Sequence, residues 1–320
     1  MVMTRGDGWV GVGWDWSDCE DVRRRIGRGA DPEVWSGGRP LHQAATFGSP
    51  EVVAELARRV ADVDALENGV TALWAAVVAR KPDNASALAA AGADPWRRQR
   101  GGWSPGRLSL AGPTPGLFAA PPAGERLSKS EQAVAAEAAR LVAAVGVSPY
   151  EGAGLACVAG IDAAEAVRRL EAAPVPDEDA DDVVDDPYAY EMDEILPIVG
   201  VTSVPGGCVV TQPWGYAPQM PGVLTGLSAG TVAYGVYANP KSGNQGSIAR
   251  DGSLDAWDLH PGGEPDAHHS PEEVLAGYLF RCNPVAYACS FTGLRPADAR
   301  PVVGPPDLWV RLPERDYWSH

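Results

Sequence analysis

The sequence has no apolar run long enough to cross a membrane, which takes about 20 residues. Its first residues include an early arginine but no continuous apolar stretch, so they predict no export signal. The cysteines are odd in number and scattered, without a Cys-x-x-Cys spacing, which disfavours a disulfide framework and a zinc ribbon. We therefore expect a cytoplasmic protein without a membrane partner, and five reduced thiols. These are Cys19, Cys157, Cys208, Cys282 and Cys289.

Lysine is also scarce. Only three of the 26 basic residues are lysines, whereas the chain contains 37 glycines and 29 prolines. This bias is typical of a GC-rich genome, such as that of an actinobacterium, and has no bearing on mechanism.

Positive charge is scarce in the last two thirds of the chain. Residues 1–118 carry 14 acidic and 14 basic side chains, whereas residues 119–320 carry 28 and 12, which accounts for the whole net charge of −16. Ten of these acids lie in residues 177–194, which contain no lysine or arginine. We expect this segment to be a solvated acidic loop. Because it would repel phosphate groups, we expect no nucleic-acid partner.

An internal repeat occupies the first third of the chain. Residues 39–62 (RPLHQAATFGSPEVVAELARRVAD) align without a gap with residues 71–94 (TALWAAVVARKPDNASALAAAGAD), at an offset of 32 residues. In the first copy, Pro40 suits a first helical turn, Gly48 ends a short helix and Ser49 can cap the next one. Each copy predicts a helix pair that must stack on neighbours to bury its apolar face.

The motif RPLHQAA, with Gly-Ala-Asp recurring at residues 29 and 92, resembles the ankyrin repeat over roughly residues 14–112. Two central copies match well, whereas a leading half-copy and a copy that begins at residue 101 are eroded. The last copy has Gly106 where a core leucine belongs. The resemblance implies an all-α repeat stack over residues 1–118. Because such arrays need about three repeats, we expect this one to depend on the C-terminal domain.

The ankyrin resemblance also implies a contact surface, formed by the turn between repeats and the first helix of each. Trp74 replaces a histidine that holds the loops together in the family, and an indole has no acceptor to reproduce that bonding. Trp74 therefore either fills a gap between repeats or faces the groove as an anchor. The implied partner-binding residues are Thr46, Phe47, Glu67, Asn68, Trp74 and Val78.

A proline- and glycine-rich stretch leads into a linker at residues 119–127, and residues 128–320 predict an α+β domain with a mainly antiparallel sheet. The segments GLACVAGIDAAEAVRRL, QPWGYAPQMPGVLTGLSAGT, YGVYANPKSGNQGSIARDG and GPPDLWVRLP resemble an uncharacterised actinobacterial domain often found with ankyrin repeats. That resemblance implies no activity. The whole chain is thus predicted to be α+β, with an all-α stack first.

The glycine-rich stretch ANPKSGNQGSIARDG, residues 238–252, invites comparison with a phosphate-binding loop. Such a loop places its Lys-Ser pair after the glycines, at a junction between a strand and a helix. Here Lys241 and Ser242 precede Gly243, and a strand pattern follows. The stretch therefore predicts a hairpin with a loop over residues 240–245, followed by a tight turn at Asp251-Gly252.

Other clusters of polar and aromatic residues give only weak indications of a functional site. The acids and histidines of residues 258–269 lie among prolines and glycines, which favours a solvated loop over a metal site. No sequence pattern calls for a cofactor. The segment QPWGYAPQ, residues 212–219, either presents its rings on a rigid loop or covers the core with them. A pocket in the C-terminal domain would use Trp214, Tyr216, Lys241, Arg250 and His260.

The preferred hypothesis is a non-catalytic adaptor or regulatory protein that binds another protein through the ankyrin surface. One alternative is an enzyme or small-ligand-binding protein with its site in the C-terminal domain. Another is an acidic inhibitor or immunity-type protein that places residues 177–194 in a basic cleft.

Overall fold

A computed structural model describes residues 7–11, 15–146 and 152–318. The chain forms two compact units. The first comprises Met1–Ala135 and Glu264–Leu279, and the second comprises Ala136–Gly263 and Phe280–His320. Trp14, where the predicted repeat segment begins, lies outside the described residues. The described residues combine helices with one eight-stranded antiparallel sheet, so the α+β prediction is confirmed.

Short helices dominate the first unit and flank the sheet of the second. None of the helices in the described part of the chain combines the length and apolar character that a membrane span requires. In chain order they are α1 (Cys19–Gly27), α2 (Pro40–Phe47), α3 (Pro50–Ala57), α4 (Ala72–Val78), α5 (Pro82–Ala90), α6 (Pro105–Ala111), α7 (Lys129–Val145), α8 (Ala163–Leu170), α9 (Asp177–Asp185), α10 (Met192–Ile195), α11 (Pro221–Leu227), α12 (Pro271–Leu279), α13 (Pro284–Thr292) and α14 (Arg300–Val303).

In the first unit, successive helix pairs stack on one another. Helix α2 packs against α3 and α4, α5 packs against α3 and α4, and α6 packs against α4. Three hydroxyl side chains start these helices by accepting a hydrogen bond from the backbone three residues on: Ser49 before α3, Thr71 before α4 and Ser104 before α6. The helix pairs predicted by the sequence repeat are therefore present.

The turns before α2 and α4 recur at the spacing of the sequence repeat. Trp35 pairs with Gly38, and Glu67 pairs with Val70, each through backbone hydrogen bonds. An equivalent hydrogen bond joins each turn to the next. The Glu67 carboxylate accepts from Arg39 N at 2.6 Å, and the side-chain oxygen of Gln99 accepts from Thr71 N at 2.8 Å. Adjacent turns are thus held in register.

Gly106 is not the packing defect that its position in the repeat suggests. It is buried in α6, and a Cβ atom there would lie 2.6 Å from a ring carbon of Trp96 and 2.8 Å from Pro95 O. The Trp96 indole therefore occupies the space that a leucine side chain would fill. The repeat pattern does not reveal this packing, because Trp96 comes from the preceding turn, and the expected defect at Gly106 is wrong.

Residues 264–279, which the sequence assigns to the C-terminal domain, belong to the first unit. Trp103 Nε1 donates to Pro271 O at 2.8 Å, and Arg80 Nη2 donates to Tyr278 O at 3.1 Å. Gly112 lies close enough to the Tyr278 hydroxyl that no Cβ would fit between them. Helix α12 therefore packs at the end of the repeat stack, beside α6.

The second unit is built on an antiparallel sheet whose strand order is β2-β8-β3-β4-β1-β5-β6-β7. Its core lies between one face of the sheet and helices α8 and α11, where Val158, Ala166, Val210 and Leu224 are fully buried. The strands are β1 (Gly154–Ala159), β2 (Ala173–Pro174), β3 (Ile198–Val204), β4 (Gly207–Gln212), β5 (Val232–Asn239), β6 (Gly243–Arg250), β7 (Ser253–Leu259) and β8 (Leu308–Arg311).

The glycine-rich stretch forms hairpins, as predicted. Strand β5 pairs with β6, and β6 pairs with β7 across the Asp251-Gly252 turn. The first loop is shorter than predicted, because Gly243, at a φ of 80°, already pairs with Asn239. Since a strand follows this loop, the stretch does not have the architecture of a phosphate-binding loop.

The acidic segment, residues 177–194, is not the loop that its composition predicts. Its first half is helix α9, and α10 begins at Met192. Ala180 is fully buried and packs with Ile198 and Trp309, which gives α9 an apolar contact with the sheet. Val183 and Val184 on the same helix also pack against this cluster. The prediction failed because these few apolar residues anchor the helix, and overall composition does not show their spacing.

Candidate functional site

All six residues that the sequence proposes for partner binding line one cavity in the first unit. The cavity has a volume of about 210 Å³ and lies between the inner face of α2 and α4 and the turn before α4. We call it the repeat cleft. Besides the six predicted residues, it is lined by His42, Gln43, Val70, Ala75, Arg100, Glu264 and Pro265.

The floor of the repeat cleft is apolar and closely packed. Trp74 and Val78 lie one helical turn apart on α4, and each is only 2% exposed. Of the two alternatives for Trp74, the structure therefore shows burial. The indole shapes the floor, and little of its surface is available to a partner.

The rim of the repeat cleft holds the accessible residues. Phe47, the last residue of α2, is 45% exposed, and Thr46 beside it is half-buried. Asn68 is exposed at the tip of the turn, in the left-handed conformation with a φ of 50°, and is followed by Gly69 at 80°. An Asn-Gly pair adopts this tight turn readily. The turn therefore projects Asn68 beside the opening of the cleft.

Glu67 does not stand free at the rim. Besides its bond to Arg39 N, its carboxylate fills the space against Gly38, where a Cβ atom would lie 2.0 Å from Oε1. Glu67 therefore mainly joins adjacent turns. Only the part of its carboxylate that is not used in this contact is available to the cleft.

His42 provides a second link, from α2 to the turn before α4. Its Nε2 lies 3.0 Å from Val70 O. Because a carbonyl oxygen only accepts, Nε2 carries the proton and Nδ1 is left as an acceptor. Nδ1 is buried and has no hydrogen-bond partner among the described residues. Burial lowers the pKa of His42, so the ring is neutral near pH 7.

Three residues that the sequence did not predict, Arg100, Glu264 and Pro265, close the repeat cleft. Arg100 donates through Nη1 to Pro265 O and through Nη2 to Asn68 O, the latter at 3.3 Å. Glu264 and Pro265 thus reach the cleft from a segment far along the chain. No periodic signal marks that segment, so only the structure identifies it as part of the site.

The five residues proposed for a C-terminal pocket are not brought together. Trp214 is 38% exposed and donates to Val184 O at 3.3 Å, while Tyr216 packs on the core of the second unit. Lys241 lies in the β5–β6 turn, whereas Arg250 ends β6 at the opposite end of that strand and pairs with Asp255 at 3.1 Å.

His260, the last of the five, lies 3.1 Å from Asn244 O through Nδ1. None of the four main cavities in the described part of the chain is lined by any of the five.

Two cavities in the second unit are larger than the repeat cleft. One, of about 570 Å³, is lined by Asp179, Asp182, Tyr190 and Glu194, among others. The other, of about 590 Å³, lies beside the last described residues, Tyr317 and Trp318. The described residues contain no group of three or more histidine, cysteine or acidic side chains arranged to hold a metal ion.

The five cysteines are free in the structure. Cys157, Cys208 and Cys289 are buried, and burial raises the pKa of Cys208 to about 12. The sulfur atoms of Cys157 and Cys289 lie 3.7 Å apart. A thiol with a raised pKa is a poor nucleophile, so Cys208 does not resemble a catalytic cysteine.

Comparison with models of known protein families gives no match. Comparison with curated proteins gives no significantly similar sequence.

Proposed function

We propose that the first unit is an ankyrin-like repeat module that binds another protein through the repeat cleft. The observation that carries this proposal is the convergence of the six predicted contact residues on one cavity. Glu67 and Gln99 accept equivalent hydrogen bonds from the backbone N–H groups of Arg39 and Thr71. This recurrence supports the assignment to this class of repeat. We further propose a reducing, cytoplasmic setting, because the five cysteines are free.

The size of the repeat cleft favours a protein side chain over a small-molecule ligand. Small-molecule sites usually enclose about 300–1,000 Å³, whereas this cleft encloses about 210 Å³. A cavity of this size suits one large side chain inserted from a partner surface, with the surrounding turns contributing the rest of the interface. Buried anchors of this kind supply much of the energy of protein complexes.

The lining residues then divide into two roles. Trp74 and Val78 give the cleft its apolar floor, and Glu67 holds the turns together. Phe47 and Asn68 are exposed and are the residues that a partner would touch. The module is non-catalytic in this proposal. The enzyme alternative is less well supported, because its five candidate residues are dispersed.

Affinity capture with the full-length chain tests the proposal. Wild-type protein and the Phe47→Asp variant are used to capture proteins from the native host, and the retained proteins are quantified by mass spectrometry. The matched control is Val134→Asp, since Val134 is 47% exposed in the same unit and lies outside the cleft. We expect a protein retained by wild type and by the control to be lost with Phe47→Asp. Equal retention by all three would contradict the proposal.

The acidic-inhibitor alternative is supported by a different observation. Helix α9 holds Asp179 and Asp182 beside Glu194 and Tyr190, around the cavity of about 570 Å³. A basic partner held there would dissociate as salt screens the charges. Its test is the joint substitution Asp179→Asn and Asp182→Asn in the same capture experiment. Loss of a salt-sensitive partner with this variant, and not with Phe47→Asp, would favour the inhibitor.

A further inference from the structure

Four aromatic rings follow one another across the second unit. The ring centroid of Tyr237 on β5 lies 5.6 Å from that of Tyr216. The centroid of Tyr216 lies 5.7 Å from that of Trp318, and the centroid of Trp318 lies 6.1 Å from that of Trp257 on β7. We call these four residues the aromatic row. They come from two strands, a loop and the C-terminal segment, so only the tertiary fold brings them together.

The outer half of the aromatic row is accessible. Trp318 is 49% exposed and Trp257 is 43% exposed, on a strand that forms one edge of the sheet. The segment that carries Trp318 is fixed, because Gly222 N donates to Tyr317 O at 2.8 Å. Two large exposed indoles in contact are unusual on a surface with no binding role, since tryptophan is enriched at interfaces.

The aromatic row continues into the cavity of about 590 Å³, which Trp318 also lines. Of the charged residues around this cavity, Arg315 pairs with Glu171 at 2.7 Å, and Arg311 donates to Glu194 O at 3.1 Å. Asp193 and Glu314 form no ion pair within the described part of the chain. The lining residues include three acids, Asp193, Glu314 and Asp316, and only two arginines, so their net charge is negative.

We propose that the aromatic row and this cavity bind an extended, proline-rich segment of a partner that carries arginine or lysine next to its prolines. Successive rings are inclined to one another by 66°, 40° and 78°, so they form ridges and grooves and not a flat platform. Proline-rich segments dock into aromatic-lined grooves of this kind.

The dimensions of a polyproline II helix fit the aromatic row. This helix advances about 3.1 Å per residue, so two residues cover about one ring spacing. The segment is already extended before it binds, which keeps the entropic cost of ordering it low. Its basic flank would lie over Asp193 and Glu314, where opposite charges favour association. This surface is in the second unit and is independent of the repeat cleft.

Isothermal titration of the full-length chain tests the proposal. The probe is an end-capped decapeptide with two arginines followed by eight residues, six of them prolines. We expect saturable binding that Trp257→Ala and Trp318→Ala each weaken about tenfold or more. Leu308→Ala is the matched control, because Leu308 is 43% exposed on β8, outside the row, and should leave affinity unchanged. Thermal unfolding by circular dichroism verifies that each variant is folded.

Two further peptides decide which chemistry is recognised. Replacing the arginines with glutamates should weaken binding about tenfold, and replacing the prolines with alanines should abolish it. The proposal is overturned if the first peptide binds no more tightly than about 1 mM. It is also overturned if the alanine peptide binds equally well, or if neither Trp257→Ala nor Trp318→Ala, with both variants folded, changes the affinity.

Discussion

Trp74 is the residue on which the shape of the repeat cleft most depends. It stands at the position that His42 holds in the preceding repeat, and the structure buries it on α4 with 2% of its surface exposed. His42 donates from α2 to Val70 O in the next turn, a bond that the indole does not reproduce. The second repeat therefore depends on packing at the position where the first depends on a hydrogen bond.

Truncation of Trp74 should accordingly destabilise the first unit. We expect Trp74→Ala to lower the free energy of unfolding by about 3–5 kcal/mol, because it leaves a large cavity in a packed layer. Phe47→Ala, at the exposed rim, should cost about 1 kcal/mol or less. Urea unfolding of the full-length chain, followed by circular dichroism, measures both. Equal costs for the two variants would show that Trp74 is not the packed floor of the cleft.

Gly106 gives a second test of packing at the residue scale. Gly106→Ala should lower the free energy of unfolding by about 1–3 kcal/mol, because its methyl group would overlap the Trp96 ring and Pro95 O. Gly27→Ala in α1 is the control, since a Cβ atom there meets nothing within 4 Å. A helical glycine in open space is usually improved by alanine, by about 0.5–1 kcal/mol. Stabilisation by Gly106→Ala would restore the view that Gly106 is a defect.

Patterns local in sequence predicted which of these residues lie at the repeat cleft. The features that were not predicted depend on contacts between residues distant in sequence. The ankyrin resemblance implied that Trp74, Phe47 and Asn68 share one surface, and the three residues do line one cavity. It could not find Pro265 or Glu264, which reach the cleft from the segment that follows β7. Nor could it show that Trp96 compensates for Gly106, since side-chain packing leaves no periodic signal.

At the scale of the elements, Glu55 joins helices α1 and α3. Its side chain is only 5% exposed, and it forms ion pairs with Arg23 on α1 at 3.0 Å and with Arg58 and Arg59 at 2.6 and 2.8 Å. Burial raises the pKa of this carboxyl, but the hydrogen bonds from the three arginines outweigh burial and hold the pKa below its usual value.

This lowered pKa predicts a pH-dependent contribution to stability. The stabilisation by Glu55 is fully present above about pH 4.3, which is the pKa of a glutamate carboxyl in the unfolded chain. It is lost as the pH falls through the lower pKa that this carboxyl has in the folded protein. Glu55→Gln should therefore cost about 1 kcal/mol at pH 7, a modest figure because the arginines are half exposed. The cost should shrink below about pH 4.

Urea unfolding at pH 7 and pH 3.5 measures this effect. Glu51→Gln on the same helix is the control, because Glu51 is exposed and forms no ion pair within the described residues. A cost for Glu55→Gln that does not depend on pH would exclude the charged network as its source.

At the scale of the whole molecule, the first unit draws on two separate parts of the chain. Residues 264–279 supply α12, which covers Trp103 and neighbours α6. The sequence predicted that the repeats would need support, because only two copies are well formed. It could not identify the supporting element, since the amphipathic pattern of α12 does not specify which helix it packs against.

A fragment that ends at residue 118 should therefore be poorly folded. Without residues 264–279, the fully packed Trp103 and its neighbours would be exposed to water. We expect the fragment to aggregate or to melt broadly, whereas the full-length chain should melt more sharply. Differential scanning calorimetry distinguishes the two. A fragment that unfolds cooperatively with the stability of the full chain would show that the repeats need no support from α12.

The central claim is that the repeat cleft accepts one side chain of a partner protein, and a side-chain analogue tests it without a known partner. Indole, p-cresol and methylguanidinium are titrated separately into ¹⁵N-labelled full-length protein, with the amide and indole N–H signals followed by NMR. We predict that at least one analogue shifts the signals of Trp74, Phe47 and Asn68 in a saturable manner, and that Phe47→Asp reduces these shifts. Saturable shifts confined to the second unit, or none from any analogue, would contradict the account.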